Sequence, residues 1–182
     1  MKIKTFISFL FILVCIQNIH AQEKPKSVAL ILKEAKQQAT IENKNVFVMF
    51  TASWCGWCKK MKATMETPSV EKLFNTNYVI KYITVLEHKT KKQLENPGSK
   101  ELLNKYGGKN NGIPFYLIFD SDGNLLADSK MVSNKNVLKG EGTNIGCPST
   151  NEEIDAFAYK LKETSNLTDK ELIAIAAEFK KE

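Results

Sequence analysis

The chain has 182 residues and a net charge of +6, with 43% apolar and 25% charged residues, enough for one domain with a real core. Every basic residue is lysine. Without arginine for bidentate contacts, and without a basic stripe interleaved with aromatics, the composition argues against a nucleic-acid partner, and the charge reads as a solvated surface.

The chain opens with "MKIKTFISFLFILVCIQNIHAQ": two lysines, an apolar stretch from Phe6 to Ile16, and Ala21 ahead of Gln22. This is the pattern of a secretory signal peptide over residues 1–21. The apolar run falls short of the ~20 residues that span a bilayer, although a retained N-terminal anchor is the alternative. Cleavage leaves a single domain over residues 22–182, with a core of about 28–164 and a helical extension over about 165–182. It also leaves Cys55, Cys58 and Cys147. Export implies an oxidising compartment, where a stapled framework uses an even number of cysteines. One close pair and one odd thiol instead read as a redox pair with an extra. The tail "EFKKE" carries no endoplasmic-reticulum retention signal, so a bacterial periplasm is the first expectation and secretion the second.

Along the mature chain, "SVALILKEAKQQATIENK" has helical periodicity through Val28, Ile31, Leu32, Ala35 and Ala39. "NVFVMFTA" reads as a buried strand, and a helix from Cys55 should turn Met61 and Met65 inward. "TPSVEKLFNTN" restarts a helix with Thr67 as N-cap and Pro68 in the first turn. "YVIKYITV" alternates as a strand does. Residues 87–112 are polar, rich in lysine and punctuated by Gly, Pro and Asn, which predicts an exposed insertion around a short helix at Ser99–Tyr106. "PFYLIFDSDGNLLADS" is a hairpin with an Asp-Gly turn. After a glycine-rich loop, two capping boxes open helices, Thr150 with Glu153 and Thr168 with Glu171. The order predicts an α/β chain: a β-α-β unit, a hairpin and covering helices.

The chemistry concentrates in "TASWCGWCKK", residues 51–60. Haem attachment needs a histidine after the second cysteine, where Lys59 stands. A zinc site needs four ligands, and only His88 and Cys147 remain, far apart in sequence. A structural disulfide across two residues closes too small a loop to add much. A redox pair fits best. A strand running into Cys55 puts that thiol at a helix N-terminus, where partial positive charge favours thiolate, and Cys58 stands one turn along to resolve a mixed disulfide. No metal or dissociable cofactor is required.

"FTASWCGWCKKM", with "GIPFYLIFDSDGN" downstream, resembles the thioredoxin superfamily, in particular its exported thioredoxin-like and disulfide-isomerase-like members. The resemblance runs from about Val28 to Thr164. It implies a thioredoxin fold, a central mixed β-sheet flanked by helices, here with an extra C-terminal helix. It implies Cys55 as nucleophile, Cys58 as resolving thiol and Pro114 as a cis-proline facing them. Trp54, Gly56, Trp57, Ile113 and Pro114 are then the substrate-binding residues, with the Ile113 backbone free to pair with an extended substrate. The expected partners are exported proteins with cysteines or disulfides and a separate redox partner, with no stable membrane span once the leader is cleaved. Two departures stand out. The buried aspartate of thioredoxins falls on Met49, leaving Glu66, Glu87 or water to take the proton of Cys58. The intervening dipeptide is Gly56-Trp57 rather than glycine-proline. A binding module with a structural, non-cycling CxxC disulfide is the rival reading. Cys147 reads as a non-catalytic thiol, His88 as a loop residue, and Thr168 as an N-cap rather than part of an Asn166 glycosylation site.

Overall fold

The computed structural model describes residues 24–181, and the leader predicted over residues 1–21 lies outside them. Helix α1 (Val28–Glu42) starts at Ser27, whose hydroxyl accepts the Leu30 N–H at 3.3 Å. It buries Val28, Ala35 and Ala39, a single stripe at helical spacing. Strand β1 (Asn45–Thr51) buries its five inner residues on both faces, which is why it reads as an unbroken apolar run. Val46, Val48 and Phe50 join the core shared with α1, while Phe47 and Met49 join the core that holds Cys55 and Cys58.

The four-stranded sheet has the order β2-β1-β3-β4. Strand β2 (Tyr78–Thr84) is parallel to β1, in register from Asn45 opposite Tyr78 to Thr51 opposite Thr84. Parallel neighbours need a long crossover, supplied by α2 (Gly56–Met65) and α3 (Glu71–Asn77). A 3-10 segment (Lys89–Leu94) and α4 (Ser99–Lys105) lead to β3 (Phe115–Phe119), antiparallel to β1. Strand β4 (Leu125–Asp128) returns beside β3 through a turn in which Asp120 accepts the N–H groups of Asp122 and Asn124. A two-stranded ribbon follows, β5 (Lys130–Met131) with β6 (Thr143–Asn144). Helices α5 (Asn151–Glu163) and α6 (Asp169–Phe179) complete the chain, each opened by the predicted capping box. This is a thioredoxin-like fold: a mixed sheet flanked by helices, with additional helix at the C-terminus.

Three expectations need correction. Thr67 is not an N-cap: α3 begins at Glu71 after Val70, and the Thr67 hydroxyl instead donates back to the Thr64 carbonyl at 2.8 Å. The segment over residues 87–112 is not all exposed. Glu87, Ser99 and Leu103 are buried, the first because serine donors satisfy its carboxylate and the last because α4 is amphipathic. The glycine-rich loop is no plain loop either, since it folds into the β5–β6 ribbon. Two-residue strands carry no readable period, so only their partner reveals them.

Candidate redox site

Strand β1 delivers the chain through Ala52, Ser53 and Trp54 to Cys55, which is the N-cap residue of α2. Its sulfur accepts the Cys58 N–H at 3.1 Å, one of the orphan donors of the helix N-terminus. Cys55 and Cys58 are joined as a disulfide with Cα atoms 5.3 Å apart. Both residues are buried, at 3% and 1% exposure, the first only slightly more open than the second. Cys58 Sγ sits 4.0 Å from the Phe50 carbonyl oxygen, against the sheet.

The loop before β3 faces this pair. The Ile113–Pro114 peptide bond is cis, and the Ile113 carbonyl oxygen lies 3.6 Å from Cys55 Sγ. Trp57, Ile113, Pro114 and Cys147 line one open cavity of about 200 Å³, together with Ile145 and Glu153. Gly56 is exposed at the first position of α2. Trp57 is 56% exposed, with Lys60 Nζ 5.4 Å from its ring centroid. Trp54 is not part of that lining: its indole N–H donates to the Leu86 carbonyl at 2.8 Å, and the His88 ring lies tilted beside it with centroids 5.8 Å apart. A larger cavity of about 610 Å³ between α1 and α4 contains none of these residues.

Residues 32–133 match the family model of the thioredoxin-like domain, more than half of the chain. The chain belongs to the thioredoxin-like family. No curated protein matches it. Among solved structures it is similar to a disulphide isomerase from Xylella fastidiosa Temecula1, at 16% identity and TM-score 0.49, over 91% of this chain and 99% of that one. An oxidoreductase, DsbH, shares 22% identity at TM-score 0.43, over 80% of this chain and 85% of the other. The C-terminal domain of Neisseria meningitidis DsbD in its reduced form shares 26% at TM-score 0.40, over 64% and 89%. Family membership rests on the matched residues rather than on these likenesses.

Behind the disulfide lies a feature that the sequence does not announce. Met49, fully buried, lines a cavity of about 390 Å³ together with Cys58, Lys59, Lys62, Tyr82 and Glu87. Glu87 is the carboxylate of that lining. Its oxygens accept the Ser53 N–H at 2.5 Å and the Ser53 hydroxyl at 2.8 Å, so it clamps the turn that leads into Cys55. Leu86, just before it, adopts a left-handed φ of +56°, a conformation that costs a residue with a Cβ about 1–2 kcal/mol. That turn aims the Leu86 carbonyl at Trp54 while the next side chain goes inward. Glu66, the other carboxylate considered from sequence, accepts the Tyr82 hydroxyl at 3.3 Å and is not part of the cavity lining. Burial pushes the Tyr82 phenol well above its ordinary range, with the Glu66 carboxylate adding to the shift.

Cys147 is a buried free thiol whose pKa burial pushes up to about 11. A thiol so protonated is a poor nucleophile near neutral pH. Among the described residues no group of three or more metal-ligating side chains gathers, and no helix is long and apolar enough to cross a membrane.

Proposed function

We propose that this protein is an exported thiol-disulfide oxidoreductase that reduces, oxidises or isomerises disulfides of other exported proteins. One observation carries the reading: the Cys55–Cys58 pair caps the N-terminus of α2 and faces the Ile113 carbonyl of the cis-proline loop. In the reduced protein the Cys55 thiolate keeps the Cys58 N–H as a hydrogen-bond donor and the positive end of α2 beneath it. It attacks one sulfur of a substrate disulfide, and the other substrate sulfur leaves as a thiolate. Cys58 then gives up its proton into the cavity that it shares with Glu87, and its thiolate attacks Cys55. The mixed disulfide breaks, the Cys55–Cys58 bond forms, and the substrate departs with both cysteines reduced. The reverse sequence oxidises a substrate. The half-buried Ile113 backbone is the strand-pairing element, and Trp57 the apolar contact beside it. The leader over residues 1–21 would take the protein to a periplasm or out of the cell, where a separate redox partner resets the pair.

Insulin-disulfide reduction by dithiothreitol tests this directly. Wild type should accelerate precipitation and Cys55→Ser should not, while Cys58→Ser should accumulate a mixed disulfide. If Cys55→Ser matches wild type, the CxxC is structural and the fold serves as a binding module.

A further inference from the structure

The β5–β6 ribbon reaches the redox site through one side chain. Asn144 Nδ2 donates to the carbonyls of Asn111 and Pro114, each at 2.9 Å, and its Oδ1 accepts the Gly146 N–H at 3.1 Å. Both amide hydrogens are therefore committed to backbone oxygens on either side of Ile113. Between those two gripped points the Ile113 carbonyl faces Cys55 Sγ, and among the described residues the Ile113 N–H has no hydrogen-bond partner.

The base of this grip is itself well held. Ser129 donates its N–H to the Tyr116 carbonyl at 3.0 Å and accepts the Ile145 N–H at 2.7 Å, tying the ribbon to β3. The buried Asp128 carboxylate accepts the N–H groups of Lys130 and Gly140 at 2.9 and 2.8 Å. At Gly142, φ is +93° and an added Cβ would collide with the Met131 carbonyl, so the ribbon closes at a point only glycine allows. The clamped loop carries positive-φ glycines at 107 and 112, and among the described residues its one further side-chain tie is Asn111 Nδ2 donating to the Gly107 carbonyl at 2.6 Å.

We infer that Asn144 is a positioning residue for peptide capture, holding the free Ile113 N–H and carbonyl in the register that an extended substrate needs. Strand β6, which bears it, lies beyond the residues 32–133 that match the family. The inference rests on the oxidoreductase reading above and adds to it the side chain that sets the register of the Ile113 edge. A small disulfide makes no strand contacts and needs no such register. A peptide must pair with Ile113 before its sulfur meets Cys55, and a misplaced loop wastes that pairing.

The test compares two oxidants of the reduced, full-length mature protein in stopped flow. One is a cystine-bridged peptide; the other is 5,5′-dithiobis(2-nitrobenzoate), a small aromatic disulfide. Asn144→Ala should slow the peptide reaction about 10-fold while leaving the small disulfide within about 2-fold of wild type. Asn144→Asp, which sets a carboxylate against two carbonyls, should slow the peptide at least as much. Asn144→Ser, with one shorter donor, should fall between wild type and alanine and gives a folded variant if the others fail. Equal losses on both oxidants, or no loss on the peptide, would overturn the positioning role. A wild type inert toward both would instead remove the oxidoreductase reading, and this inference with it.

Discussion

At the scale of single residues, the resolving step of the proposed cycle poses the sharpest question. Cys58 is buried against β1, and an apolar setting works against the thiolate that the proposed cycle requires of it. Met49 has no basic site to take the proton. Glu87 lines the same cavity and is already hydrogen-bonded to Ser53, so one side chain both fixes the redox turn and offers an acceptor. Glu87→Gln separates these roles. The amide still accepts the Ser53 N–H and donates to the Ser53 hydroxyl, but it no longer takes a proton. Release of reduced substrate from the mixed disulfide should slow about 10-fold near neutral pH, a modest general-base effect, with Cys55 attack little changed. Rapid-quench measurement of the mixed disulfide checks this, and an unchanged decay would hand the proton to water. The sequence alone raised Glu87 only as one option of three. It sits 29 residues beyond Cys58 in the chain, and only the parallel pairing of β1 with β2 brings the two to one cavity.

At the scale of elements, α5 and the ribbon loop are joined by a buried cation. Lys160 Nζ donates to the Val137 and Leu138 carbonyls at 2.7 and 2.8 Å, with Asp128 the acidic group nearby. Burial lowers the ammonium to about 8, against the pull of Asp128. Between that value and the ordinary lysine range, the unfolded chain holds a proton that the folded one has shed, so this group adds stability as pH rises. The contribution is lost as pH falls through about 8. Cys147 acts oppositely, because its thiol stays protonated in the fold after the unfolded thiol has ionised. Comparison with Lys160→Met isolates the lysine. In urea unfolding, the stability of wild type relative to the variant should rise from pH 7 to pH 9. A constant difference would mean that the ammonium stays charged at the base of the loop.

At the scale of the whole molecule, α6 is built into the core that carries the redox pair. Leu172, Ile175 and Phe179 belong to the same buried cluster as Cys58, and Phe179 packs edge-on against Phe157 with ring centroids 5.2 Å apart. Phe157 in turn meets Tyr116 of β3 at 5.4 Å, so the last helix reaches the sheet through two rings. Phe179→Ala should cost about 3–5 kcal/mol, the range for a buried aromatic truncated in a packed core. A urea midpoint unchanged from wild type would show that α6 is a separable extension.

Much of this was legible in the primary structure because it is local. The apolar run of β1, the capping boxes of α5 and α6, the Asp-Gly hairpin and the two thiols one turn apart are set by neighbours within a few residues, where spacing and side-chain type decide the outcome. The α/β class follows from their order. What only the tertiary structure decided is contact across long stretches of chain. Thr67 has the sequence context of an N-cap, yet the regular helix starts only at Glu71, and its hydroxyl turns back to donate to the Thr64 carbonyl. The clamp of Glu87 on Ser53 spans 34 residues and that of Asn144 on Pro114 spans 30. Neither asparagine nor glutamate bears any mark in sequence that tells a clamp from a solvated loop residue. Their roles exist only once the sheet and the ribbon set their partners within hydrogen-bond reach, because a polar group gains its meaning from the atom opposite it.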